Sequence, residues 1–157
     1  MSDTRFTSPE AASFWHYISS SLGRLVQLAE TIAPDGLHWS PPASSTNSIA
    51  VLAVHTLGNA EENILQTLCG QTMGRSRAGE FVERLSTADE LLERWQDLRP
   101  RLESALAQLS AFDMDNERLH PRRGAIPGRE VLIVVARHAA EHLGQAELTR
   151  DLWNATR

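Results

Sequence analysis

Apolar residues recur every three or four positions over four long stretches of the chain, the spacing of one helix face. Between those stretches the pattern breaks at proline, glycine and serine. The first stretch carries Phe14, Ile18, Leu22, Leu25, Leu28 and Ile32. It predicts a helix beginning at Ser8-Pro9-Glu10, with Ser8 as N-cap, Pro9 at the first helical position and Glu10 in the first turn, and stopping at Pro34-Asp35-Gly36. Residues Pro34 to Thr46, with prolines at 41 and 42, predict an ordered loop without regular helix, anchored by Trp39. A second helix is predicted from Asn47-Ser48 through Cys69 to Gly70, whose glycine suits a left-handed C-terminal cap; its apolar face is Ile49, Leu52, Ala53, Leu57, Ala60, Ile64 and Leu68.

The stretch from Gly70 to Ser86 is rich in Gly, Ser and Arg, with an apolar patch at Phe81, Val82 and Leu85. At about 3.3 Å per residue it can cross the length of a helix, so the second and third helices can run parallel. The third helix begins at Ser86-Thr87-Ala88-Asp89, a serine N-cap with an acid three residues on, and carries Leu91, Leu92, Trp95, Leu98, Leu102, Leu106 and Leu109. Pro100 lies inside it and predicts a kink or break near Leu98 and Arg99. Ala111 to Pro127 reads as a polar connection bearing a basic cluster, Arg118, His120, Arg122 and Arg123, that is either a solvated loop or the entrance to a pocket for an anion. The last helix spans about Arg129 to Ala155. Four amphipathic helices without a strand pattern predict an all-α four-helix bundle, a single domain over residues 1–157.

Composition narrows the classes. Hydrophobic residues make up 41% and charged residues 22% of the chain, the balance of a folded protein rather than a disordered one. The net charge is −5, and the fifteen basic residues are arginines scattered among acids, which argues against a nucleic-acid partner. The N-terminus lacks a charged-then-apolar signal, and no apolar run approaches the roughly 18 residues that span a bilayer, so a soluble cytoplasmic protein without a membrane partner is expected. The single cysteine, Cys69, has no internal disulfide partner and reads as a buried small hydrophobe.

The candidate chemistry centres on the last helix, between Val131 and Trp153. Val131, Val135, Ala139 and Ala146 form its apolar stripe, and His138, His142, Gln145 and Thr149 fall inside or along it. His138 and His142 are about 40° apart at 3.6 residues per turn, so they share a side of the helix. Polar groups aimed at a core need partners, since burying them unpaired costs about 1 to 3 kcal/mol each. On the second helix His55 flanks the apolar face, in line with Asn59 and Glu62. His16, His38 and His120 lack ligand spacing and read as structural or solvent-facing. Cys69 lies about 21 Å along the helix from His55, too far to be a ligand.

Trp39-Ser40-Pro41, then Ser48-Ile49, then His55, and finally His138, His142, Gly144 and Gln145 in the pattern His-x-x-x-His-x-Gly-Gln together resemble the DinB superfamily, also called DinB/YfiT-like metalloenzymes. The resemblance runs from about Phe14 to Trp153 and is most specific over His138 to Leu152. It implies an up-down-down-up four-helix bundle, frequent homodimers, and a divalent metal held by three histidines, which map onto His55, His138 and His142. It also implies the class of thiol-dependent S-transferases and of a maleylpyruvate isomerase that uses low-molecular-weight thiols.

The residues themselves fit such chemistry. Three neutral imidazoles leave coordination positions open, as catalytic sites do, and accommodate zinc or nickel ahead of iron or manganese. A metal there could activate a water, or bind a low-molecular-weight thiol as thiolate for attack on a small-molecule substrate. Glu62, Asn59, Glu141 and Gln145 are candidates to fix imidazole tautomers or position water, with Glu141 equally readable as a surface acid paired to Arg137 or Arg150. The expected function is therefore a metal-dependent S-transferase or hydrolase. The alternative is a non-catalytic metal or small-ligand binding bundle of the stress-response type. The acidic charge disfavours a nuclease or DNA-repair factor.

Overall fold

Ser8 caps the first helix as its sequence requires: its Oγ accepts from the Ala11 N–H, and α1 runs from Pro9 to Thr31. The computed structural model describes residues 5–72 and 87–157. After α1 come α2 (Pro34–Leu37), α3 (Ile49–Glu61) continuing as a π-helix (Glu62–Leu68), α4 (Ala88–Ala107), α5 (Ala111–Asp115), β1 (Glu117–His120), β2 (Gly124–Pro127) and α6 (Gly128–Ala155). The fold is all-α, with one two-stranded hairpin among the described residues. α1 packs on α4 and α6, and α3 packs on α6. Ile18, Leu22 and Leu25 of α1, Leu57 of α3, and Leu98, Leu102 and Leu106 of α4 are fully buried in the shared core. Among the described residues no helix is long and apolar enough to cross a membrane.

Ser48 caps α3 through its Oγ and the Val51 N–H, and Gly70 adopts the expected left-handed φ of 69°. The second half of that helix departs from expectation. From Glu62 to Leu68 it winds as a π-helix, with the Cys69 N–H reaching back five residues to the Ile64 carbonyl. Hydrophobic spacing tolerates this change of winding, because Ile64, Leu65 and Leu68 remain buried. Cys69 is exposed, contrary to its reading as a core residue, because the helix ends there at the surface.

Pro100 does not break α4, which is continuous from Ala88 to Ala107. The carbonyl deprived of its partner belongs to Gln96, and both residues are exposed, so water can satisfy it. Thr87 is the N-cap residue and makes no side-chain capping bond. The expected cap Ser86 and the patch at Phe81, Val82 and Leu85 lie outside the described residues. A short helix, α2, opens the stretch expected to lack one, started by Pro34. There Gly36 has no room for a Cβ, which would stand 2.5 Å from the Trp153 indole Nε1. Trp153 in turn packs, tilted by 47° with ring centroids 5.7 Å apart, against Trp39, the predicted anchor of the loop.

Ala111 to Pro127 is more ordered than a polar connection. Ser110 and Asp113 form a reciprocal capping box around α5, and their hydrogen bonds hold the Asp113 carboxyl below its usual range, with Arg118 assisting. β1 and β2 then pair from Glu117↔Pro127 to His120↔Gly124, turned by Gly124 at φ 75°. The pattern was illegible because each strand has four residues and neither alternates cleanly.

The hairpin buries His120, which is 2% exposed. Its Nδ1 accepts from the Arg122 N–H at 3.1 Å, so a second ring proton would meet a donor. Burial first, then the charges of Arg122 and Arg123, lower its pKa below the usual 6.5. A histidine neutral in the fold and protonated when unfolded costs stability as pH falls. Its contribution is complete above about pH 6.5 and disappears as the pH drops through the lowered folded value. Denaturant midpoints measured from pH 7.5 to 5 should fall in the wild type, and His120→Asn should flatten that fall; an unchanged slope would refute the assignment.

Candidate metal centre

α6 carries His138, His142, Gln145, Thr149 and Leu152 along one face, and α3, packed beside it, brings His55 to the same place. The structure thus gathers three residues that lie 83 and 87 positions apart in two cases. His138 Nε2 is 3.1 Å from His55 Nε2 and 3.1 Å from His142 Nε2. One ligand atom from each ring lies within 4.8 Å of the others. Nitrogens held about 2.0–2.1 Å from a single cation stand about 2.8 to 3.4 Å apart for angles between square and tetrahedral. The two 3.1 Å separations from His138 Nε2 fit that requirement.

Hydrogen bonding among the three rings is a poorer explanation. His142 Nδ1 lies 2.7 Å from Gln145 Oε1, an acceptor, so the ring donates there and turns a lone pair inward at Nε2. The single Nε2 proton that His138 can carry cannot point well at both neighbours. A cation could meet all three lone pairs at once. Burial foremost, with the neighbouring His55, lowers the His142 pKa against the opposing effects of Gln145 and Glu141, and this favours the neutral form that ligates metal.

The histidines do not face a sealed core. His138 and His142 are half-buried and, with the buried His55, line a cavity of about 630 Å³ whose walls include Val51, Leu52, Leu148 and Leu152. That volume is ordinary for a small-molecule site. The loop after Trp39 adds Pro41, Ala43, Ser45 and Thr46 to the lining. Sequence reasoning missed Leu148 and Leu152, although their spacing from His142 and Gln145 continues the same helix face.

The other expected residues separate. Of the four tautomer-fixing candidates, Gln145 is hydrogen-bonded to the His142 imidazole. Glu62 is ion-paired at 2.9 Å to Arg122, and Asn59 is buried in α3. Glu141 is exposed and acts on His142 as a nearby charge. Arg150 pairs with Asp151. The basic cluster does not line the cavity: Arg118 bonds the Leu68 carbonyl and Asp113, Arg122 bonds Glu62, and His120 is buried in the hairpin. The anion-entrance reading therefore fails, because the hairpin packs on the π-helix and spends these charges there. His16 and His38 are exposed and apart from the site.

A family model described as the DinB superfamily matches residues 17–146, a span that includes all three histidines and Gln145. No curated protein matches the chain.

Proposed function

The chain belongs to the DinB superfamily, and from that premise we propose that His55, His138 and His142 hold one divalent metal in a small-molecule thiol S-transferase or hydrolase. The observation that carries the reading is the convergence of three Nε2 atoms at one wall of a cavity. Imidazole donors favour zinc or nickel, with iron or manganese as further candidates. When bound, such a cation supplies Lewis acidity that activates a water or a low-molecular-weight thiol.

The chain's own residues do the rest. Gln145 holds the His142 ring with its Nε2 lone pair inward. Leu52, Leu148 and Leu152 give the cavity an apolar flank against which a substrate can shed water. The Pro41–Thr46 wall is preset, since the Thr46 hydroxyl is within hydrogen-bond distance of the Pro41 and Ala43 carbonyls at 2.7 and 2.9 Å. We take the substrate to be a small molecule and the setting to be the cytoplasm; the acidic balance of −5 supports a partner other than nucleic acid. The homodimer expected from the family resemblance belongs to the same proposal.

A non-catalytic metal or ligand-binding bundle is the second reading. What favours it is that no carboxylate, amine or guanidinium lines the cavity among the described residues. Elemental analysis of protein purified under metal-replete conditions, followed by thiol-transfer and hydrolysis assays, separates the readings. One metal per chain with turnover is expected. Metal without turnover selects the binding role, and no metal removes the metal-dependent enzyme and leaves only a metal-free ligand-binding bundle.

A further inference from the structure

Resting on that metal-site reading, we infer that the cavity takes an uncharged, elongated amphiphile: a donor head at the three histidines and an apolar body laid along α6 toward Leu152. The floor of the cavity is one helix face, His138, His142, Gln145, Leu148, Thr149 and Leu152. From His142 to Leu152 this face extends about 15 Å at 1.5 Å per residue, so the site is longer than a metal and its immediate ligand need. Polarity changes along it. The imidazoles and Gln145 stand at one end, while Leu148 and Leu152, 60% and 41% exposed, stand at the other.

Large aliphatic side chains left open to water beside a concave site mark a surface meant to be covered. None of the described lining residues other than the histidines can carry a charge, so a charged body would lose hydration without gaining a partner. The loop wall offers Ser45, Thr46 and Asn47, neutral polar groups able to position an uncharged molecule. That wall is also strained. Ser45 holds φ 65°, a left-handed conformation that costs a non-glycine residue, and the Thr46 contacts to Pro41 and Ala43 keep the turn in place.

Alkyl hydroxamates of increasing length, from acetohydroxamate to octanohydroxamate, test the inference by calorimetric titration of zinc-loaded protein. Affinity should rise about fourfold for each added methylene that is buried. The monohydroxamate of suberic acid, with a carboxylate at the far end of the same length of chain, should bind more weakly than octanohydroxamate. The gain per methylene should fall by at least half in Leu148→Gln and in Leu152→Gln, both exposed positions whose change leaves the core intact. A flat series, or tighter binding of the anionic homologue, overturns the inference while leaving a measured metal content untouched. If the wild type holds no zinc, the metal reading fails by itself. Octanamide titrated into the metal-free protein then decides the apolar body: weak binding lost in Leu152→Gln upholds it, and none refutes it.

Discussion

Replacing His138 with alanine is expected to abolish stoichiometric zinc or nickel binding and, with it, any metal-dependent rise in thermal stability. His138 Nε2 is the atom that contacts both other ligand nitrogens, so its removal leaves His55 and His142 without the donor between them. A ligand that binds only the folded state stabilises it by about 2.7 kcal/mol at a hundred times its dissociation constant. For a chain of 157 residues, about 2–4 °C per kcal/mol makes this roughly 5 to 10 °C in Tm. The wild type should show that rise on adding metal and lose it on adding a chelator. His138→Ala should show neither response. Because His138 is half-buried at the cavity wall, its truncation enlarges an open space rather than creating a sealed void, and the variant should fold. His142→Gln, which keeps most of the side-chain volume, serves as a second variant and should behave alike. A metal-dependent shift of wild-type size in both variants would sink the three-histidine assignment.

The parts of this molecule that were legible in its sequence share a physical cause. Helix periodicity reports burial, so the four long helices and their Ser8 and Ser48 caps could be placed from side-chain type and spacing. His138 and His142 stood out because polarity on an apolar stripe contradicts that periodicity. What periodicity cannot report is what lies opposite. His55 looked like one flanking residue among several until α3 was packed on α6. Arg118 and Arg122 looked like a free basic patch, because their partners Asp113 and Glu62 are settled only by a hairpin of two four-residue strands. The π-helical turn at Glu62–Leu68 left no mark on the hydrophobic pattern, since winding changes there without exposing the apolar face. Pro100 misled for the opposite reason. A local rule was applied to a turn whose solvent side could absorb the loss.

The same distinction decides what Gln145 should do. It is exposed, yet its Oε1 stands 2.7 Å from His142 Nδ1 on the side of the ring away from His138. An acceptor at Nδ1 keeps the proton there and leaves Nε2 as a lone pair; without it the ring is free to rotate and to carry its proton at Nε2. Gln145→Ala is therefore expected to weaken metal affinity by about 10- to 100-fold while leaving the apoprotein's thermal stability nearly unchanged, since losses of such outer partners are typically of that size. Gln145→Glu restores an acceptor and should recover most of the affinity. Chelator competition measures the affinities, and nitrogen NMR of His142 reports which ring nitrogen carries the proton. Wild-type affinity in Gln145→Ala would show that packing alone orients the ring. Equal losses in the Ala and Glu variants would show that the amide N–H₂, and not the acceptor oxygen, is what the site requires.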